Sequence, residues 1–342
     1  MRLAVFAFSL RGLQTAERVC LALSAPENTL CIYAPERLAG GEIAAITPPL
    51  ADFAGSLFRE MDALIFVSSC GIAVRAVAPH VRSKVSDPAV VAVDETARFV
   101  VPLLSGHIGG ANALAVRLSE ALGATAAVTT ATDVNGRFSV DAWATKQGLF
   151  IADMGAAKAV SAAILEGPVP LKCDFPIGGE LPPGVVQGES GPVGICVSWR
   201  EQEPFGKTLL LVPKTIRLGI GCRRGIGREA VTAAVREALE QWGVHPRAVK
   251  CAASIDLKRD EPGLLDFARE ADVPLAFYSA EELREIKGAF TPSEFVRSVT
   301  GVDNVCERAA LTGGGELIIK KTARDGVTVA AAAEKYEVGF DG

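Results

Sequence analysis

Val100-Val101-Pro102-Leu103-Leu104-Ser105-Gly106-His107-Ile108-Gly109-Gly110-Ala111-Asn112 passes from an apolar, β-branched run through Ser-Gly-His and Gly-Gly into Ala111 to Leu122, a helical pattern. That is a strand, a tight turn and a helix N-terminus. Backbone N–H groups at such a terminus point outward and favour negative charge. Gly106, Gly109 and Gly110 let the backbone approach a ligand closely. His107 supplies an ionisable ring whose ordinary pKa lies near neutrality. The helix terminus disfavours imidazolium, which predicts a neutral ring able to take a proton from water. Ser105 and Asn112 are close enough in sequence to orient the ring or that water. The competing reading is a plain strand–helix connection, with the glycines serving the turn and His107 capping a backbone group. In that case the base moves to Asp133, Asp94 or Glu95.

Outward from this stretch, strands alternate with helices. Leu3 to Phe8, Thr29 to Tyr33, Asp62 to Val67, Val90 to Val93, Arg98 to Leu103 and Thr125 to Val128 read as strands. Leu13 to Leu23, Leu50 to Glu60 and Ile72 to Val81 read as helices. Alternation of this kind argues for βαβ units and a mostly parallel open sheet. Ligands bind such sheets beyond the carboxyl ends of strands. Ser68-Ser69-Cys70-Gly71, Ser105 to Asn112 and Thr129-Thr130-Ala131-Thr132-Asp133 each follow a strand, and all three are expected on one edge.

The expected architecture is α/β, with an N-terminal α/β domain over residues 1–130, a central segment over 131–214 and a compact C-terminal α/β domain over 215–342. Phe138 to Leu165 is helical and alanine-rich; from Gly167 to Pro192, proline and glycine punctuate short strands. Such a segment is a small β-rich module or a flexible connector. In the C-terminal part, Ile216 to Gly221 is a strand, Cys222-Arg223-Arg224-Gly225 a loop and Ile226 to Trp242 a helix. Gly219, Gly221 and Gly225 approximate a dinucleotide fingerprint, but Arg224 occupies the third glycine's place and no acidic strand end follows. A nucleotide-dependent oxidoreductase is therefore disfavoured. Arg223 and Arg224 at a helix start suit carboxylates, or else form a solvated basic turn. Ser279 to Glu282 and Thr291 to Glu294 read as capping boxes, the second with Pro292 at the first helical position.

The 342 residues carry a net charge of −5, which argues against nucleic acid or an anionic membrane as partner. The eight cysteines form no C-x-x-C pair, so neither a zinc ribbon nor a dithiol redox site is signalled. No uninterrupted apolar run reaches the roughly 18 residues of a membrane span. The N-terminal apolar run is short for a signal peptide. A reduced, cytoplasmic enzyme is expected.

Taken together, Ser68 to Arg75, Lys84 with Ser86 to Val91, Leu103 to Asn112 and Thr129 to Asp133 resemble the N-terminal and central parts of the cobalt-precorrin-5A hydrolase family of anaerobic cobalamin biosynthesis. Gly219 to Gly225, Ser254 with Lys258, Glu261 to Leu264, Phe277 to Ser279 and Val305-Cys306-Glu307 resemble its C-terminal domain, a relative of which occurs as a small separate protein. Cys70 departs from the small or hydroxyl residue expected there.

The resemblance implies a cobalt-bearing, ring-contracted tetrapyrrole with a δ-lactone and rim carboxylates as substrate. Hydrolysis opens the lactone and releases acetaldehyde. Under this reading His107, Ser105 and Asp133 are catalytic. Arg75, Lys84, Arg223, Arg224 and Lys258 hold carboxylates. Gly71, Gly106, Gly109, Gly110, Asn112, Thr130, Gly221, Cys222 and Glu307 complete the substrate contacts. No cofactor or metal site of the protein's own is implied, because cobalt arrives inside the substrate. The resemblance leaves room for a homodimer and for hand-over to other corrin-pathway enzymes. A non-catalytic corrinoid-binding or chaperone protein is the alternative.

Overall fold

The computed structural model describes residues 1–47, 49–83, 86–130 and 137–340. The chain divides into two compact units, Met1–Ala142 and Trp143–Gly342. Residues 143–214, read above as part of a central segment, group with the C-terminal part in this division.

The first unit is one seven-stranded sheet. Its strands are β1 (Arg2–Ala7), β2 (Thr29–Ala34), β3 (Ile43–Ala45), β4 (Ala63–Val67), β5 (Ala89–Val93), β6 (Phe99–Leu104) and β7 (Thr125–Ala126), in the order β3-β2-β1-β4-β5-β6-β7. Every residue of β4 and β5 is buried. Runs that are apolar throughout suit a sheet covered on both faces. Alternate side chains leave opposite faces of a strand. Leu3, Val5, Ile65 and Val67 therefore pack with α1 (Leu10–Ala22) and α4 (Ala111–Leu122). Ala4, Phe6, Leu64 and Phe66 pack with α2 (Leu50–Phe58) and α3 (Cys70–Val77). Phe6 stacks on Phe66 with ring centroids 4.5 Å apart.

All neighbouring pairs are parallel except β5 and β6. The connection from Asp94 to Arg98 is too short for a crossover, so it closes an antiparallel hairpin. Asp94 holds that turn: its carboxylate accepts from Thr96 N at 2.9 Å, Arg98 N at 2.8 Å and Phe99 N at 2.6 Å. The reversal corrects the expected shared edge. Leu104 pairs with Val90 near the start of β5, whereas Ser68 N donates to Val93 O at its end. The loops after β6 and β7 thus share one edge, and Ser68 to Gly71 lies on the other.

The second unit carries α5 (Val140–Lys146) across its boundary, then α6 (Met154–Glu166) and two five-stranded sheets. The first contains β8 (Phe150–Ile151), β9 (Val169–Cys173), β11 (Val185–Gln187), β12 (Val193–Val197) and β13 (Lys207–Val212), in the order β11-β9-β12-β13-β8. The Pro/Gly-rich stretch is therefore a folded, mostly parallel sheet. A short strand β10 (Ile177–Gly178) pairs with β19 (Val338–Gly339) near the C-terminus.

The other sheet runs β16-β15-β14-β18-β17. Its strands are β14 (Ile216–Cys222), β15 (Val249–Ile255), β16 (Leu275–Tyr278), β17 (Glu316–Arg324) and β18 (Val327–Ala333). Its helices are α7 (Arg228–Gln241), α8 (Pro262–Glu270), α9 (Ala280–Glu285), α10 (Glu294–Thr300) and α11 (Cys306–Ala310). A Cβ on Gly219 would collide with Cys306 O, so α11 lies directly on β14.

Two local expectations change. α7 starts at Arg228 with Gly227 as its cap, so Arg223 and Arg224 belong to the preceding loop and not to the helix terminus. The Ser279–Glu282 capping box is present, but α10 is capped by Ser293, because Thr291 is drawn to Glu307.

Burial raises the Asp94 carboxyl, but the hydrogen bonds from Thr96, Phe99 and Arg98 outweigh it and hold the group below its ordinary value. Its stabilisation is therefore present above the unfolded-state pKa of about 4 and is lost as pH falls through the depressed folded value. Asp94→Ala should cost about 1–2 kcal/mol at pH 7 by urea denaturation. The gap from wild type should narrow on acidification; a gap that widens would contradict this role.

Candidate active site

The loop between β6 and α4 folds back on itself. Ser105 (φ 56°) and Gly110 (φ 82°) both adopt left-handed backbone. Gly110 N donates to His107 O at 3.0 Å, Ala111 N to Ser105 O at 3.1 Å and Asn112 N to Gly106 O at 2.9 Å. The donors expected to face a ligand at Gly110 and the start of α4 are thus spent inside the loop. A Cβ on Gly109 would collide with that of Ser105, so this glycine serves the close approach of the chain. Asn112 Nδ2 donates to Thr130 Oγ1 at 3.0 Å, which ties the two loops at this edge. Ser105 Oγ is buried and, among the described residues, has no hydrogen-bond partner.

This loop presents His107. Its Nδ1 lies 3.2 Å from Asp141 Oδ1, with side-chain exposures of 17% and 6%. Asp141 Oδ1 also accepts from Ser139 Oγ at 3.0 Å and Ala142 N at 3.1 Å, which fixes the carboxylate. A carboxylate at Nδ1 favours the tautomer with its proton on Nδ1 and stabilises the imidazolium that forms when Nε2 takes a proton. The sequence pattern does not single out Asp141, which sits at the start of a short helix in an alanine-rich stretch.

The other expected residues divide. Gly71 and Arg75 stand on the opposite edge of the sheet, where Arg75 Nη1 donates to Gly71 O at 3.3 Å. Asp94 and Glu95 are on that edge too; Glu95 accepts from Ser9 Oγ at 2.6 Å. None of these four joins His107. Lys84 and Asp133 lie outside the described residues.

The C-terminal residues converge. A cavity of about 900 Å³ is lined by Gly221, Cys222, Arg223, Arg224 and Lys258 together with Lys321 and Arg324. Leu257, Phe295, Val296 and Val299 give it an apolar wall. That volume falls within the range of small-molecule sites. Lys258 Nζ lies 3.3 Å from Glu261 Oε2, and Gly225 N donates to Glu261 Oε1 at 2.7 Å. One buried carboxylate thereby holds both the Arg223–Arg224 loop and Lys258. Burial pushes the Cys222 thiol up, which suits an inert lining residue.

Glu307 is not in the cavity wall. Its carboxylate accepts from Thr291 N at 2.7 Å, Thr291 Oγ1 at 2.9 Å, Asn304 Nδ2 at 2.8 Å and Lys321 N at 2.8 Å. The structure moves it from substrate contact to an internal clamp, because these donors occupy its oxygens. The pattern of short motifs also misses Lys321, Arg324 and Phe295, which reach the cavity only through the tertiary placement of β17 and α10.

Family models described as Cobalamin synthesis G N-terminal and Cobalamin synthesis G C-terminus match residues 52–133 and 216–332. The cobalt-precorrin-5A hydrolase of Salmonella typhimurium is 35% identical, with the alignment covering 96% of this chain and 96% of that protein. The chain belongs to the cobalamin synthesis G family. The cobalt-precorrin-5A hydrolase of Priestia megaterium is 31% identical over 82% of this chain and 81% of that protein. Protein CobE of Sinorhizobium sp. is 40% identical over 119 residues, 34% of this chain and 77% of that protein. The His107 loop lies within the N-terminal family segment and the cavity lining within the C-terminal one.

Glu307→Gln would set an amide N–H₂ against backbone N–H groups that now meet a carboxylate. The expected loss is about 1–3 kcal/mol in the urea-induced unfolding of the full chain. Unchanged stability would mean that the Thr291 and Lys321 contacts contribute little.

Proposed function

We infer that this protein is a cobalt-precorrin-5A hydrolase of cobalamin biosynthesis, and that His107, oriented by Asp141, is its general base. The similarity to hydrolases of that name along nearly the whole chain supports the activity. The contact between His107 Nδ1 and Asp141 Oδ1 carries the assignment of the base.

In this reading a water molecule attacks the lactone carbonyl carbon while its proton passes to His107 Nε2. Asp141 stabilises the imidazolium. The tetrahedral intermediate breaks its bond to the ring oxygen, which takes the proton back. The product carries a carboxylate and a hydroxyl on the extruded carbon. Removal of the hydroxyl proton then breaks the neighbouring carbon–carbon bond in a retro-aldol step. Acetaldehyde leaves, and the electron pair left on the macrocycle takes up a proton. Both halves need one group that accepts and returns protons near neutrality, which a histidine provides.

Arg223, Arg224 and Lys258 supply the positive charge that rim carboxylates require, and guanidinium groups can grip carboxylates bidentately. Arg75, on the edge away from His107, does not serve that loop. Cobalt enters as part of the substrate, and the reading calls for no cofactor of the protein's own. The eight cysteines are all free, and among the described residues no helix is long and apolar enough to cross a membrane. In this reading the enzyme works in the cytoplasm and passes its product to the next enzyme of the pathway.

His107→Ala should fold and keep its KM while kcat for acetaldehyde release falls about 10²–10⁴-fold. Asp141→Asn should lower kcat in the same direction with native thermal stability. A protein that only sheltered the corrinoid would release acetaldehyde at the wild-type rate in both variants, and that result would overturn the assignment.

A further inference from the structure

α10 turns two of its three large apolar side chains, Phe295 and Val299, away from the core. None of its residues is buried. Phe295 and Val299, one turn apart and so on one face, are 74% and 61% exposed, and both line the C-terminal cavity. The segment is fastened at its two ends. Thr291 is held by Glu307, Ser293 N donates to Asp303 O at 2.9 Å, and Val302 is 1% exposed. Between those anchors Val296 alone packs, half-buried, against the core cluster of Ala253, Ile255 and Val305, and no side chain is fully buried, the situation in which a segment opens and closes at low cost. The charge on the cavity says what would close it. Among the described residues Arg223, Arg224 and Lys321 have no carboxylate partner, and the lining residues include a single acid, Asp325. Arg324 is already paired with Glu237 and Asp325. A ligand with several carboxylates around a broad apolar face satisfies both the free cations and the bare helix face.

We propose that α10 is a lid that closes its Phe295–Val299 face over a polycarboxylated tetrapyrrole, while Lys321 joins Arg223 and Arg224 at the rim. This rests on the substrate class proposed above. It adds the apolar cover and a third rim cation to that reading. It also gives Glu307 a purpose as the hinge-side anchor of the lid.

The test titrates the full chain by calorimetry with dicyanocobyrinic acid, a corrin with free rim carboxylates, and with its heptamethyl ester. The acid should bind, and the ester at least about tenfold more weakly. Phe295→Ser combined with Val299→Ser should weaken the acid about tenfold at unchanged thermal stability, since both side chains are exposed. Phe295→Leu should retain most of the affinity. Lys321→Met should weaken the acid and flatten the salt dependence of its binding. His107→Ala should bind the acid as wild type does. Acetaldehyde release by the wild-type protein is measured separately, so loss of the hydrolase reading and loss of the lid are told apart. A wild-type chain that binds neither probe, or a double serine variant within twofold of wild type, would overturn the proposal.

Discussion

Asp94 gathers three backbone N–H groups into a turn, and that turn makes β6 run back along β5. The direction of β6 fixes where its carboxyl end emerges. Ser105 to Asn112 consequently faces the edge at which β5 begins, beside Thr130 and within reach of Asp141. Had the connection been a crossover, His107 would stand beside Ser68 and Gly71, and Asp141 would have no ring to orient.

Much of the first unit is legible as sequence because continuous apolar runs have few ways to be buried. The runs now in β1, β4 and β5 announce central strands, and the Gly-Gly stretch announces the start of α4. The direction of β6 was the harder feature. Its strand pattern is the same for either direction, and only the length of the Asp94–Arg98 connection distinguishes them. The glycines of the His107 loop are legible as necessary, and the structure adds a conformational reason for them. They permit a turn in which Gly110 N, Ala111 N and Asn112 N are hydrogen-bonded within the loop. Asp141 was invisible because its meaning lies in a contact between distant parts of the chain.

The second unit shows the same division. Arg223, Arg224 and Lys258 are expected from the sequence to act together, and they share a cavity. Glu307 was misread because a buried acid and a ligand-binding acid look alike in a linear motif. Four hydrogen-bond donors around its carboxylate decide between them. Glu261 works similarly for the Arg223–Arg224 loop. Buried carboxylates thus shape the cationic site without lining it, a use of charge that is stable only when each oxygen is hydrogen-bonded.

The proposed proton transfer depends on which nitrogen of His107 carries the proton. The chain has three histidines, so a nitrogen-15 correlation spectrum of histidine-labelled protein resolves each ring once single substitutions assign them. The neutral His107 ring should be protonated on Nδ1, facing Asp141, with Nε2 as the basic nitrogen, and Asp141→Asn should weaken that preference. A His107 ring protonated on Nε2 with a bare Nδ1 would contradict the orienting role of Asp141 and remove the base from the proposed reaction.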